Sequence, residues 1–183
     1  MGPGHPQPVG EPLTGHTRMV HTVAFSPDGR RLASAGNDGT LPLWEPASGR
    51  LVRDPLTSRK GTVHTSVFSP DGRRMATASK NGSVWLWDPD TGRPVGESLD
   101  AAARTLAFSP DGRLLASAGN DGTVRLWDPD TRQPVGGPLT SHAGAVLAVA
   151  FSPDGHLVAT ASSDKTARLW LVSQCPAPEI RRY

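Results

Sequence analysis

Residues 106–128 read LAFSPDGRLLASAGNDGTVRLWD, a string in which extended segments alternate with tight turns. Leu106 and Phe108 flank a small residue, the alternation of a strand with one buried face. Ser109-Pro110-Asp111-Gly112 then reverses the chain: Pro presets φ at the first corner, Asp bonds the backbone just downstream, and Gly accepts a positive φ. LASAG at 115–119 reads as a second strand, Asn120-Asp121-Gly122 as a second turn, and the next segment sets Val124 and Leu126 against Arg125 and Trp127. Beyond Trp127 a turn rich in Pro and Asp leads to Pro134-Val135-Gly136, the expected fourth strand. Four short antiparallel strands, a to d, in about 40 residues make one small sheet.

The same unit recurs along the chain. FSPDG begins at Phe25, Phe68, Phe108 and Phe151, at spacings of 43, 40 and 43, and Trp44, Trp87, Trp127 and Trp170 keep those spacings. The units cover residues 14–57, 58–100, 101–140 and 141–171 of a repeat array spanning 7–171, between a disordered N-terminus at 1–6 and a tail at 172–183. A single small sheet cannot bury both faces, so the sheets must stack. Ala33 and Ala35, repeated as Ala76 and Ala78, Ala116 and Ala118, and Ala159 and Ala161, keep the second strand slim where neighbours approach. The implied architecture is all-β and radial, a β-propeller of four four-stranded blades.

Composition agrees. With 20 Gly and 18 Pro among 183 residues a mainly helical fold is excluded, and 36% hydrophobic residues suit a thin, distributed core. The net charge of +2 gives no argument for nucleic acid. Cys175 is the only cysteine, so no internal disulfide forms, as befits a reducing compartment. The first residues lack the basic and apolar regions of a leader, and the longest apolar run, 143–151, is too short to cross a bilayer. The expected setting is cytoplasmic, without a membrane.

Gly-His, some two dozen residues, then a strand ending in Trp-Asp, as at Trp87-Asp88 and Trp127-Asp128, at a period of 40 to 43, resembles the WD-repeat family, specifically its bacterial arrays. Trp44-Glu45 and Trp170-Leu171 depart from the signature. The resemblance implies a hydrogen-bonded tetrad in each blade. Blade 1 supplies His16, Ser34, Asp38 and Trp44, and blade 4 His142, Thr160, Asp164 and Trp170. Blade 2 offers Arg59, Thr77, Asn81 and Trp87. Blade 3 keeps Ser117, Asp121 and Trp127 but has lost three residues before its first strand, and the His with them. Ser, His and Asp also make up a hydrolytic triad, but this set recurs blade by blade, without an oxyanion motif or nucleophile elbow, so it reads as structural.

No metal motif or phosphate loop is present, and no catalytic residue, metal or cofactor is expected. The resemblance implies a scaffold that binds proteins or peptides, of the kind that accompanies bacterial signalling domains; a partial propeller without its own function and a propeller-cleft enzyme are the alternatives. The loops joining strands d to a and b to c share one rim. Its candidate partner-binding residues are Arg18, Met19, His21, Arg59, Lys60, His64, Lys80, Arg104 and Leu147. Four residues before each repeated Phe stand His21, His64, Arg104 and Leu147, a position that varies while the scaffold around it does not. The opposite rim carries Arg30, Arg31, Arg73, Arg74 and Arg113.

QPVGEPLTGH at 7–16 matches QPVGGPLTSH at 133–142 at eight of ten positions, so the array opens on a fourth strand at 7–13, while PAPEIRR at 176–182 lacks that pattern. Four blades form a half-ring or half of an eight-bladed ring. Two copies, each lending its opening strand to the other's last blade, would close the ring as a homodimer.

Overall fold

The computed structural model describes residue 8, residues 10–57 and residues 61–172. The expected disordered start at 1–6, nearly all of the tail with Cys175, and the rim candidates Arg59 and Lys60 lie outside the described residues.

The first blade, sheet 1, takes in β1 (Val20–Phe25), β2 (Leu32–Gly36), β3 (Thr40–Leu41), β4 (Leu43–Glu45), β5 (Arg50–Leu51) and β6 (Leu56–Thr57), of which β1, β2, β4 and β5 form one four-stranded ladder and β3 pairs with β6 in a separate two-stranded one. Sheet 2 follows with β7 (Val63–Phe68), β8 (Met75–Ser79), β9 (Ser83–Asp88), β10 (Arg93–Pro94) and β11 (Leu99–Asp100). Sheet 3 has β12 (Ala103–Phe108), β13 (Leu115–Gly119), β14 (Thr123–Trp127) and β15 (Leu139–Thr140). Sheet 4 has β16 (Val146–Phe151), β17 (Leu157–Ser162) and β18 (Ala167–Leu171). All pairing is antiparallel, and the three principal strands of each sheet neighbour one another in chain order.

The Ser-Pro-Asp-Gly turns close on themselves. In the first, Ser26 Oγ donates to Asp28 Oδ1 (2.6 Å) and accepts from the Arg31 N–H (2.9 Å), while the Arg30 N–H donates to Asp28 (3.0 Å). Gly29 sits at φ +69°, which a side-chain-bearing residue would resist.

Two expected strands differ. Strand d is not continuous. In sheet 2 it splits into β10, which pairs with the end of β9, and β11, which pairs with its start. Between them Gly96 takes a φ of +71°, which lifts the chain off the ladder. Strand c of sheet 1 splits as well, because buried Pro42 has no N–H to give; its carbonyl still accepts from the Ser34 N–H (3.1 Å). Sheet 4 ends at β18, and the described residues of 7–13 form no strand.

The core is a series of layers between sheets. Ala33, Ala35, Leu41 and Leu43 of sheet 1 pack with Val63 and Met75 of sheet 2. Ala76, Ala78, Val84 and Leu86 pack with Leu106 and Leu115. Ala116, Ala118, Val124 and Leu126 pack with Val146, Val149 and Val158. Each sheet therefore offers alanines of strand b and aliphatics of strand c to its successor, and receives them on its own strand a and the first residues of its strand b. Both ends of the stack are open: Val20, Val23 and Phe25 are 44%, 64% and 62% exposed at the start, Leu169 and Leu171 70% and 64% at the finish.

Close approach explains the glycine that ends β13. A Cβ on Gly119 would overlap the carbonyl of Ala102, in the shortened loop where Ala102 itself takes a φ of 47°. Gly119→Ala is expected to cost about 1–3 kcal/mol of stability, whereas Gly137→Ala, with nothing within 4 Å, should stay within about 0.5 kcal/mol. Urea denaturation measures both, and equal midpoints would contradict the packing argument.

Candidate functional site

Strands b and c bring the polar residues of each blade to one edge. In blade 1, Trp44 Nε1–H donates to Ser34 Oγ (2.8 Å), the Ser34 hydroxyl donates to His16 Nε2 (2.8 Å), and His16 Nδ1–H donates to Asp38 Oδ2 (2.9 Å). Asp38 also accepts from the N–H groups of Thr17 (2.9 Å) and Thr40 (3.0 Å). Blade 4 repeats the chain through Trp170, Thr160, His142 and Asp164, at 3.0, 2.8 and 2.8 Å. A line of donors running from an indole to a carboxylate leaves no polar group unpaired away from water.

The other two blades depart from it. Blade 2 joins Trp87 Nε1–H to Thr77 Oγ1 (2.9 Å), and among the described residues its Asn81 accepts from Ser83. Blade 3 joins Trp127 to Ser117 (2.8 Å), and in place of a histidine Arg125 donates to Asp121 Oδ2 (2.8 Å) and the Ala101 carbonyl (3.4 Å). Sequence reasoning missed this substitute, because Arg125 occupies an alternating strand position that reads as solvent-facing. Blades 2 and 3 have the incomplete sets but lie between two neighbours. Amide exchange is accordingly expected to be slower at Thr77 and Ser117 than at Thr160, since open-ended sheet 4 frays first; the reverse order, measured by native-state exchange, would show that the tetrad outweighs the packing.

Asp38 and Asp164 are held far below the ordinary carboxylate value of 3.8. For Asp38 burial opposes the shift, but the N–H groups of Thr40 and Thr17 and the His16 ring overcome it; for Asp164 the Thr166 hydroxyl leads. A carboxylate whose folded pKa is depressed stabilises the fold fully above its unfolded value and loses that contribution as pH falls toward the folded one. The chain should therefore weaken steadily below about pH 4. Asp38→Asn, costing about 1–2 kcal/mol at neutral pH, should converge on the parent in acid. Denaturation midpoints at both pH values check this, and a constant gap would contradict it.

The rim carries a feature no spacing argument reveals. In every blade the strand-a register slips at one residue: between Val20 and Thr22, Val63 and Thr65, Ala103 and Thr105, and Val146 and Ala148. The residues left out of the ladders are His21, His64, Arg104 and Leu147. A bulge re-aims its side chain and locally ends pairing, so the one varying position is also the one freed from the sheet. His21 and His64 come together, ring centroids 5.5 Å apart, and His21 Nε2–H donates to Asn37 Oδ1 (2.6 Å). Burial, then the positive fields of His21, Arg104 and Lys80, lower the His64 pKa. Arg18, Met19, Lys80, Arg104 and Leu147 are exposed on this rim.

On the opposite rim Arg31 pairs with Asp90 of the next blade, and Arg74 with Asp130, each at 2.5 Å. Two of its arginines thus tie neighbouring sheets together. Among the described residues no group of three or more His, Cys, Asp or Glu converges as a metal site, and no helix is long and apolar enough to cross a membrane.

The family model described as "WD domain, G-beta repeat" matches residues 6–45, 53–88, 97–128 and 133–170. Its second, third and fourth matches begin before β6, β11 and β15, the last strands of the preceding blades. Single repeats resemble curated proteins. An uncharacterized WD repeat-containing protein of Synechocystis sp. is 52% identical over 44 residues, 24% of this chain and 13% of that protein. Ribosome assembly protein 4 of Saccharomyces cerevisiae is 45% identical over 40 residues, 22% and 8%. Small ribosomal subunit protein RACK1z of Arabidopsis thaliana is 55% identical over 38 residues, 21% and 12%. The alignments thus span about a tenth of these relatives' length.

Proposed function

The chain belongs to the WD-repeat family, whose members generally serve as protein-interaction scaffolds, and from that premise we propose that it binds protein or peptide partners in the cytoplasm without catalysing a reaction. The observation that carries this reading is the row of bulges. A rigid, repeated frame holds one varying side chain per blade at the same rim, which is how a binding surface is built on a stable scaffold. The Ser34–His16–Asp38 line does not argue for hydrolysis, because the Ser34 hydroxyl is buried and already accepts from Trp44.

Peptide display against the purified chain tests the reading. Retained peptides should lose at least about tenfold in affinity to Arg104→Ala combined with Leu147→Ala, with denaturation unchanged. Retention of no peptide, or equal binding by the double variant, would overturn it.

The open ends support a homodimer as a second element of the proposal. Val20 and Val23 are exposed where their counterparts Val63, Leu106, Val146 and Val149 are buried, and Leu169 is exposed where Leu43, Leu86 and Leu126 are buried. The first face fits the last as each sheet fits its successor, so two copies can close head to tail around a two-fold axis. Light scattering should give twice 19.3 kDa; a monodisperse species at 19.3 kDa would refute it.

A further inference from the structure

Three of the four bulge residues are basic side chains. His21 on β1, His64 on β7 and Arg104 on β12 come from three successive blades, and Lys80 joins them from the turn after β8. Gathering basic groups opposes the fold's own stability unless a countercharge is supplied. The arginine ion pairs among the described residues lie elsewhere, at Arg31–Asp90, Arg74–Asp130 and Arg125–Asp121. The carboxylates of the b–c turns are committed: Asp38 to His16, Thr17 and Thr40, Asp121 to Arg125 and Thr123, and Asp164 to His142, Ala143 and Thr166. Among the described residues none of the four cluster groups pairs with a carboxylate, so the cluster holds positive potential.

Its border is apolar. The fourth bulge is Leu147, and Leu147 and Met19 are both exposed. No tryptophan, tyrosine or phenylalanine stands at the four bulges to stack a base, so a nucleic acid would find charge without a platform. A peptide can present a carboxylate beside an apolar side chain.

We propose that the cluster of His21, His64, Lys80 and Arg104 is a binding site for an acidic peptide segment, with an adjacent apolar side chain of that segment seated against Leu147. This deepens the scaffold reading of the rim and rests on it. Arg104 and Lys80 supply permanent charge, and Arg104 can meet a carboxylate with two parallel N–H donors. Burial and its basic neighbours lower the His64 pKa, and the incoming carboxylate offsets that repulsion. Binding then takes up a proton, so affinity rises as pH falls through the histidine range. The groups that face His64 are His21 from β1, Lys80 from the turn after β8 and Arg104 from β12.

The test uses a fluorescent peptide of alternating glutamate and leucine, with its glutamine counterpart as control, in titrations near pH 5.5 and pH 8. The glutamate peptide should bind at least about tenfold tighter at the lower pH, and added salt should weaken it. Arg104→Gln should reduce binding at both pH values, His64→Gln should flatten the pH dependence, and Arg113→Gln on the opposite rim should change neither. Proton NMR of His64 gives a second readout: its pKa should rise when the glutamate peptide binds. Equal binding of the glutamine peptide, or an unmoved His64, would overturn the acidic-segment assignment while leaving the scaffold reading intact. If neither these peptides nor any from the display library binds, the scaffold reading itself falls.

Discussion

Trp127→Ala is expected to lower stability by about 3–5 kcal/mol, more than any change confined to hydrogen bonding. The ring is buried in the layer between sheets 2 and 3, with Ala76, Leu86 and Leu106, and it gives its indole proton to Ser117 at 2.8 Å. Truncation leaves a ring-sized void that short strands on both sides cannot close, and takes from the Ser117 hydroxyl its indole donor. Ser117→Ala removes the indole's acceptor and a hydroxyl that donates to the Arg125 carbonyl (3.4 Å), and should cost about 1–3 kcal/mol. Trp170, half-buried at the open end of the stack, has less packing to lose. Denaturation with unchanged m-values should rank Trp127→Ala above Trp170→Ala and Ser117→Ala; the opposite order would mean that the polar line, not the apolar layer, holds the blades.

Leu86→Ala and Leu169→Ala alter the same repeat position and should diverge. Leu86 on β9 is buried among the alanines of strand b and the first strand of the next sheet, so its loss should cost about 2–5 kcal/mol. Leu169 on β18 is exposed in the single chain, where its loss should stay within about 0.5 kcal/mol. The comparison also reads the state in solution. A large loss at Leu169 that depends on protein concentration would place a second copy on that face, because stability in an assembly follows mass action; a small, concentration-independent loss leaves the face open.

Much of the frame is legible in one repeat. The turn chemistry of Ser-Pro-Asp-Gly, the alanines of strand b and the recurrence of Phe and Trp each specify geometry within a few residues. That locality is why period and residue type reveal the sheets. The tetrad was readable in blades 1 and 4, where the histidine survives, but not in blade 3. There Arg125, at a strand position that reads as solvent-facing, turns to Asp121 four residues earlier and to the carbonyl of Ala101, and this second contact is set by how the chain packs. The rim was readable as a list of varying residues, without the backbone slip that frees them.

The amino-acid sequence by itself determined the repeat, the strands, their turns and the need to stack, because each depends on local conformational preference or on a face too apolar to leave in water. Only the tertiary structure decided that strand d breaks in two, that Arg31 and Arg74 join neighbouring blades, that both ends of the stack are bare, and that His21, His64, Lys80 and Arg104 share one patch. These follow from where separate repeats meet, and residues some 40 apart acquire a common electrostatic field only once the sheets are packed.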